Sequence, residues 1–186
     1  MTITWKHGLS LLSTVIVSLV LVSSSAQAES PAKLQARARH ALTELYQQTP
    51  GAESLARDAK AILIFPTIVK GGFMVGASYG DGVLFKGDSV AGYYNSTSGS
   101  FGLQAGIQKY GYALFFMTDS DLRYLNQSSG WEIGVGPSIT IVDQGMARSI
   151  STTTAREGVY AFFFEQRGLM AGIGLQGTKI TRIHPD

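Results

Sequence analysis

Lys70 stands directly before Gly71 and Gly72 and four residues after Pro66. A cation beside uncovered glycine backbone can hold an anion or a lipid headgroup, because open amide groups and a full positive charge act together. The plain alternative is a solvated turn lysine. A second cationic set is Lys33, Arg37 and His40, with Arg39 near, at spacings that share one side of a helix. Each surface cation beside an anionic membrane contributes on the order of 1 kcal/mol, so three do not hold a protein there alone. Gln104 and Gln176 occupy matching places in Gly102-Leu103-Gln104-Ala105-Gly106 and Gly174-Leu175-Gln176-Gly177, each an amide among small residues. The candidate lipid contacts are therefore Lys33, Arg37, His40, Lys70, Gly71, Gly72, Gln104 and Gln176.

Catalytic chemistry finds little support in the chain. Beyond the N-terminal 28 residues the histidines are His40 and His184, with no local partner for a Ser-His-Asp arrangement and too few ligands for a histidine metal site. Residues 172–177 match G-x-G-x-x-G by letter. The next residues, 178–183, read as strand, whereas the dinucleotide fingerprint needs a helix N-terminus there. Asp119 and Asp121 begin like a calcium loop, but Arg123 and Tyr124 stand where the third ligand and the turn glycine belong. No cysteine is present, which removes disulfides, thiolate metal sites, a cysteine nucleophile and a lipid-bearing cysteine. The expectation is a non-enzyme without a cofactor.

Periodicity gives the elements that must position the candidates. Residues 1–28 show a charged start, an apolar stretch from Leu9 to Val22 and Ala26-Gln27-Ala28, the order of a secretory signal peptide. Cleavage after Ala28 leaves 186 − 28 = 158 residues, expected as a single domain in a periplasm or secreted. One of the 15 basic residues lies in the leader, so 14 basic against 13 acidic residues remain. That balance gives no reason to expect nucleic acid as a partner. Ser30-Pro31 opens a helix to about Gln48, with Leu34, Ala38, Ala41, Leu42 and Leu45 as its apolar stripe, and a second helix fits residues 52–60.

From Ala61 the period becomes two. Ile62 to Phe65 is an apolar run that Pro66 stops. Then Phe73, Val75, Ala77 and Tyr79 alternate with Gly72, Gly76, Ser78, Gly80 and Gly82, giving one bulky face and one nearly bare face. A bare face admits a helix, a crossing strand or a ligand close to the backbone. Gly80-Asp81-Gly82 reads as a hairpin turn and residues 95–99, NSTSG, as a loop. Residues 110–117 suit a strand buried on both sides, and Thr118 starts a short helix to about Asn126. Trp131 to Val135, Ile139 to Val142, Val159 to Phe164, Leu169 to Leu175 and Lys179 to Ile183 read as further strands, around a polar stretch at 143–157. The 22 glycines, gathered on strand faces, predict an α+β fold: two N-terminal helices against a strongly curved, mainly antiparallel β-sheet or barrel.

Phe65-Pro66-x-x-x-Lys70-x-Gly72-Phe73, then Gly76, Gly80-x-Gly82-Val83-Leu84, Gly102 to Gly106, Gly136-Pro137, Gly168-Leu169-x-Ala171-Gly172 and Leu175-x-Gly177 form an ordered series. It resembles the SYLF domain, a lipid-binding domain also found in yeast actin-patch proteins and in membrane-trafficking proteins of plants and animals. The resemblance runs from about Ala32 to Ile183. It implies phosphoinositide or acidic-phospholipid binding, and, in eukaryotic members, actin binding. It also implies membrane contact through a basic amphipathic N-terminal segment, here the Pro31–Gln48 stretch. Actin is not expected as a partner of an exported bacterial chain; a phospholipid or membrane surface is. The acyl part is expected in or beside the curved sheet and the headgroup near Lys70 or the helix. A buried methylene is worth roughly 0.8 kcal/mol, so acyl burial should outweigh the few charges. The rival expectation is a structural or protein-interaction module of the envelope, its glycine faces used for packing alone.

Overall fold

The computed structural model describes residues 29–127, 129–142, 146, 158–167, 175 and 177–185. The leader, the polar stretch at 143–157 apart from Met146, the expected strand at 169–175 apart from Leu175, and Gln176 lie outside the described residues.

Two helices come first, α1 (Pro31–Gln48) and α2 (Pro50–Asp58). Each begins on a proline, whose fixed φ and missing N–H suit the first helical turn. Ser30 is the extended N-cap of α1, but its side chain makes no capping hydrogen bond. The second helix starts two residues earlier than the apolar pattern implied, because Pro50 and not Ala52 opens it.

The rest is organised by two long strands, β1 (Ala61–Lys86) and β2 (Ser89–Phe116), paired antiparallel along their whole length. Their connection is Gly87-Asp88, with Gly87 at φ +56°, a conformation glycine adopts at no steric cost. Three sequence expectations are corrected here. The strand does not stop at Pro66, which sits in a register shift between Phe65 and Ile68, where a ladder N–H is dispensable. Gly80-Asp81-Gly82 is not a turn but lies within β1, opposite Tyr94, Asn95 and Ser96. Residues 95–99 are not a loop but lie within β2.

Beyond β2 come a short helix α3 (Asp119–Leu122) and a 3-10 turn (Arg123–Asn126). Thr118 caps α3 through its hydroxyl, which accepts from the Asp121 amide at 3.2 Å. The remaining strands are β3 (Trp131–Glu132), β4 (Ile139–Val142), β5 (Val159–Arg167) and β6 (Lys179–Ile183). Residues 133–137, expected as strand, form turns and bends instead, with Gly134 and Gly136 at positive φ. Strand β2 is the spine. Its C-terminal half pairs with β5 and its N-terminal half with β6; β4 joins β5 in parallel and β3 joins β6. The fold is α+β with a curled, mostly antiparallel half-barrel sheet, as the glycine pattern implied.

The curl comes from the ribbon folding back on itself at Met74. Gly80 lies against Thr67 and Ile68, and Gly82 against Phe65 and Ile64, so residues some six to ten positions on either side of the fold face each other. A Cβ on Gly80 would stand 2.4 Å from the Thr67 carbonyl oxygen, and one on Gly82 would stand 2.7 Å from the Ile64 carbonyl oxygen. Ordinary face-to-face sheets sit about 10 Å apart because side chains fill the gap. Here the bare face removes that filling, and the crossing element is the other half of the same strand.

Two apolar clusters flank the ribbon. On the helical side Leu34, Ala38, Ala41, Leu45 and Leu55 pack on Ile62, Ile64, Val83, Phe85, Ala113 and Phe115. Inside the curl Leu63, Phe65, Ile68, Tyr112, Leu114, Phe116 and Trp131 pack together, with Phe65 and Tyr112 rings 4.7 Å apart. Residues 110–116 thus serve both clusters alternately, which explains their uninterrupted apolar run. Burial holds the phenols of Tyr94, Tyr110 and Tyr112 above the usual range, and it pushes Tyr46 up to about 12, with help from Glu53. A raised folded-state pKa means that the native chain keeps protons the unfolded chain has lost. Stability should therefore be level below pH ~10 and fall above it. Denaturant midpoints measured from neutral pH upward check this, with phenolate absorbance appearing together with unfolding.

Candidate functional site

Two of the four cations of α1, Arg37 and Arg39, reach back to the rest of the protein. Arg37 donates from Nη1 to Glu29 Oε2 and from Nη2 to Thr67 Oγ1, both at 2.6 Å. His40 Nδ1 lies 3.3 Å from Glu44 Oε2, one helical turn on. Arg39 donates to the Asp88 carbonyl at 2.7 Å and stacks over the Phe85 ring at 4.7 Å. Lys33 is exposed. The helix face therefore offers a surface much less than the four positive charges counted in the sequence; its guanidinium groups clamp α1 to β1 and to the hairpin turn.

Lys70, Gly71 and Gly72 lie on the ribbon just before its fold. Lys70 is half-buried opposite Gln108, and Gly71 faces Ile107, whose Cγ1 would be 3.8 Å from an added Cβ. Gly72 is where the backbone doubles over: a Cβ there would stand 2.3 Å from the Val75 carbonyl oxygen and 2.4 Å from Gly76 Cα. Met74 takes a φ of +62° at the fold, and one residue there faces the three positions 102–104 on β2. Gln104 thus occupies the wide side of a bulge. Of the candidates, Lys70, Gly71, Gly72 and Gln104 come together at the fold-back. Lys33, Arg37 and His40 lie on α1, and none of the described contacts links them to that group.

The fold-back has a property the sequence did not single out. Large apolar side chains are exposed there: Val69 43%, Met74 56%, Val75 59%, Tyr79 58% and Ile107 70%. Lys109 is exposed on the same outer face, opposite Val69. On the opposite, inner face the side chains are polar and buried: Ser78 5%, Ser96 1% and Gln108 3%. Ser78 Oγ and Ser98 Oγ are 2.7 Å apart, Tyr110 hydrogen-bonds Ser78, and the Tyr112 hydroxyl donates to Ser96 Oγ at 2.7 Å. The alternation was readable in the sequence; which face turns outward was not. The serines and glutamines sharing parity with the glycines were the available signal.

The interior of the curl is filled by side chains, Phe65, Tyr112, Phe116, Trp131 and Ile68 among those less than 2% exposed. Of the two places expected for an acyl chain, in or beside the curved sheet, that packing among the described residues favours the second. An open pocket of about 450 Å³ lies outside the core, between α3, the 3-10 turn and the bend at Gly136-Pro137. Its lining, including Ser120, Asp121, Arg123 and Gln127, is polar and unsuited to a lipid tail.

Residues 97–184 match the family model described as Ysc84: Las17-binding protein actin regulator. That match, over residues 97–184, is consistent with the SYLF domain family, to which the ordered glycine motifs are similar. The match begins within β2 and takes in Gln104, Ile107, Lys109 and β3 to β6; α1, α2, β1 and Lys70 precede it. No curated protein matches the chain.

Proposed function

We infer that this protein is a non-catalytic module that binds phospholipid at a membrane surface of the cell envelope, after export and removal of residues 1–28. The observation that carries the reading is the gathering of Val69, Met74, Val75 and Ile107 on the outside of one ribbon, with Lys109 among them. The family match over residues 97–184 makes lipid a reasonable ligand class for such a surface. The filled interior favours a lipid surface over an enclosed single lipid.

Magnitudes rank the contributions. Completing the burial of four apolar side chains already about half exposed is worth roughly 1 kcal/mol each, some 4 kcal/mol together. Lys109 near an anionic surface adds about 1 kcal/mol. Apolar contact leads, and charge selects acidic headgroups. Lys109→Glu, which removes one positive charge and adds a negative one, should therefore lower affinity for acidic vesicles roughly thirtyfold at low salt and little at high salt. Flotation with vesicles of phosphatidylcholine alone and with added phosphatidylglycerol tests the reading. Co-flotation, stronger with the acidic lipid, is expected; a protein that stays with the soluble fraction on both would overturn it. That second outcome would leave the apolar ribbon to a protein partner, as in a structural module of the envelope.

A further inference from the structure

We propose that the fold-back of the β1–β2 ribbon enters the bilayer tip-first, to the boundary between headgroups and acyl chains, leaving the two helices in water. The inference rests on the phospholipid reading above and specifies the inserting element, its depth and the orientation of the bound protein.

Three observations point the same way. The ribbon is inside-out relative to a water-soluble sheet. Its outward face carries Val69, Val75, Tyr79 and Ile107, and its inward face carries Ser78, Ser96, Gln108 and the Tyr110 hydroxyl. Proteins that present strands to lipid show this alternation, apolar out and polar in, because the surrounding medium is the apolar phase. Ser78, Ser96, Ser98, Tyr110 and Tyr112 pair their hydroxyls with one another within the curl, so the pattern is a built feature of the ribbon.

The second observation is the distribution along the ribbon. Met74, Val75 and Ile107 stand at the fold. Val69 and Tyr79 each stand five residues from Met74 on the two arms, and Lys109 lies across from Val69. A tyrosine and a lysine at one level, above the exposed side chains of Met74, Val75 and Ile107, match the layering of a membrane interface. There tyrosine rings and lysine ammonium groups sit among headgroups.

The third concerns depth. Five residues of strand reach at most ~16 Å, about half of the roughly 30 Å hydrocarbon core. Among the described residues the ribbon here is two strands wide, and its outer backbone edges hold N–H and C=O groups that hydrocarbon cannot satisfy, at several kcal/mol each. Spanning is thereby excluded for this element. Penetration of about 5–10 Å, the depth reached by interfacial segments, buries the tip side chains and keeps the edges hydrated. The helices do not compete for this role, since Arg37 and Arg39 are engaged with Glu29, Thr67, Asp88 and Phe85.

The absence of cysteine makes the test direct. Ile107→Cys, Val75→Cys and, on α2, Asp58→Cys each receive an environment-sensitive NBD label in the full-length exported protein. Each is mixed with phosphatidylcholine–phosphatidylglycerol vesicles, with unlabelled protein floated in parallel. Labels at 107 and 75 are expected to brighten several-fold, shift to the blue and be quenched by nitroxide on the upper acyl chain, while the label at 58 stays unchanged. Circular dichroism confirms that each labelled chain is folded. Flotation of the protein with labels at 107 and 75 unchanged would overturn tip-first entry and leave the phospholipid reading standing. A response at 58 alone would assign entry to the helices and likewise overturn it. Failure of unlabelled protein to float, with or without a second copy covering the ribbon, would overturn both.

Discussion

Gly80→Ala combined with Gly82→Ala is expected to destabilise the fold by about 2–6 kcal/mol, a large share of an ordinary domain's stability. Each added methyl would meet backbone: the Thr67 carbonyl oxygen at 2.4 Å and the Ile64 carbonyl oxygen at 2.7 Å. Carbonyl groups in a paired strand cannot rotate aside, so the two halves of β1 must separate. Separation uncovers Phe65 and Ile68, both fully buried in the inner cluster. Overpacking of this kind typically costs 1–3 kcal/mol per site, and the two sites act on one interface, so the effects need not add. Gly99→Ala is the control. It lies in the same ribbon with nothing within 4 Å of an added Cβ, and should change stability by less than about 0.5 kcal/mol. Urea unfolding of the three proteins gives the comparison.

Val75→Asp with Ile107→Asp is expected to leave the fold intact and weaken vesicle binding about a hundredfold or more. Both side chains are well over half exposed, so neither supports the core. Each loses roughly 1–1.5 kcal/mol of apolar contact with lipid, and each aspartate adds repulsion from acidic headgroups. Two such losses exceed the 1.4 kcal/mol that corresponds to a factor of ten. Co-flotation across a lipid series, with thermal unfolding in parallel, separates lost binding from lost folding. Unchanged binding at native stability would remove the ribbon from the site.

The sequence made the alternating faces visible because a strand's period is fixed by its geometry. Gly72, Gly76, Ser78, Gly80 and Gly82 fall on one parity whether or not the chain bends. The run at 110–117 was readable as doubly buried for the same reason. The lengths of β1 and β2 were hidden by turn-forming letters in strand interiors. Pro66 is tolerated at a register shift. Asn95 reaches across the ribbon, donating from Nδ2 to Asp81 Oδ1 at 2.8 Å and to the Gly80 carbonyl at 3.2 Å, so both turn-like segments are satisfied as strand. The true turn, Gly87-Asp88, carried an ordinary hairpin signal that the earlier glycines obscured.

For the site, Lys70, Gly71, Gly72 and Gln104 did converge at one place, since pattern along a hairpin fixes which residues share its bend. The helical trio did not join them. Charge in a sequence says nothing of whether an arginine faces water or, like Arg37, a glutamate and a threonine of its own chain. The alternation put Val75 on a bulky face and left open which way that face turns. Only the fold-back, with polar hydroxyls on its concave side, shows that here the apolar row is the outer one.

Flotation of the wild-type protein on phosphatidylglycerol-containing vesicles, over a salt series from low to about 1 M, separates apolar contact from charge, because the screening length shrinks to ~3 Å at the upper end. Apolar contact at the ribbon tip predicts binding that weakens by about tenfold or less as salt rises. Complete release in moderate salt would show that charge alone holds the protein to the membrane, and the apolar ribbon would then have no part in binding.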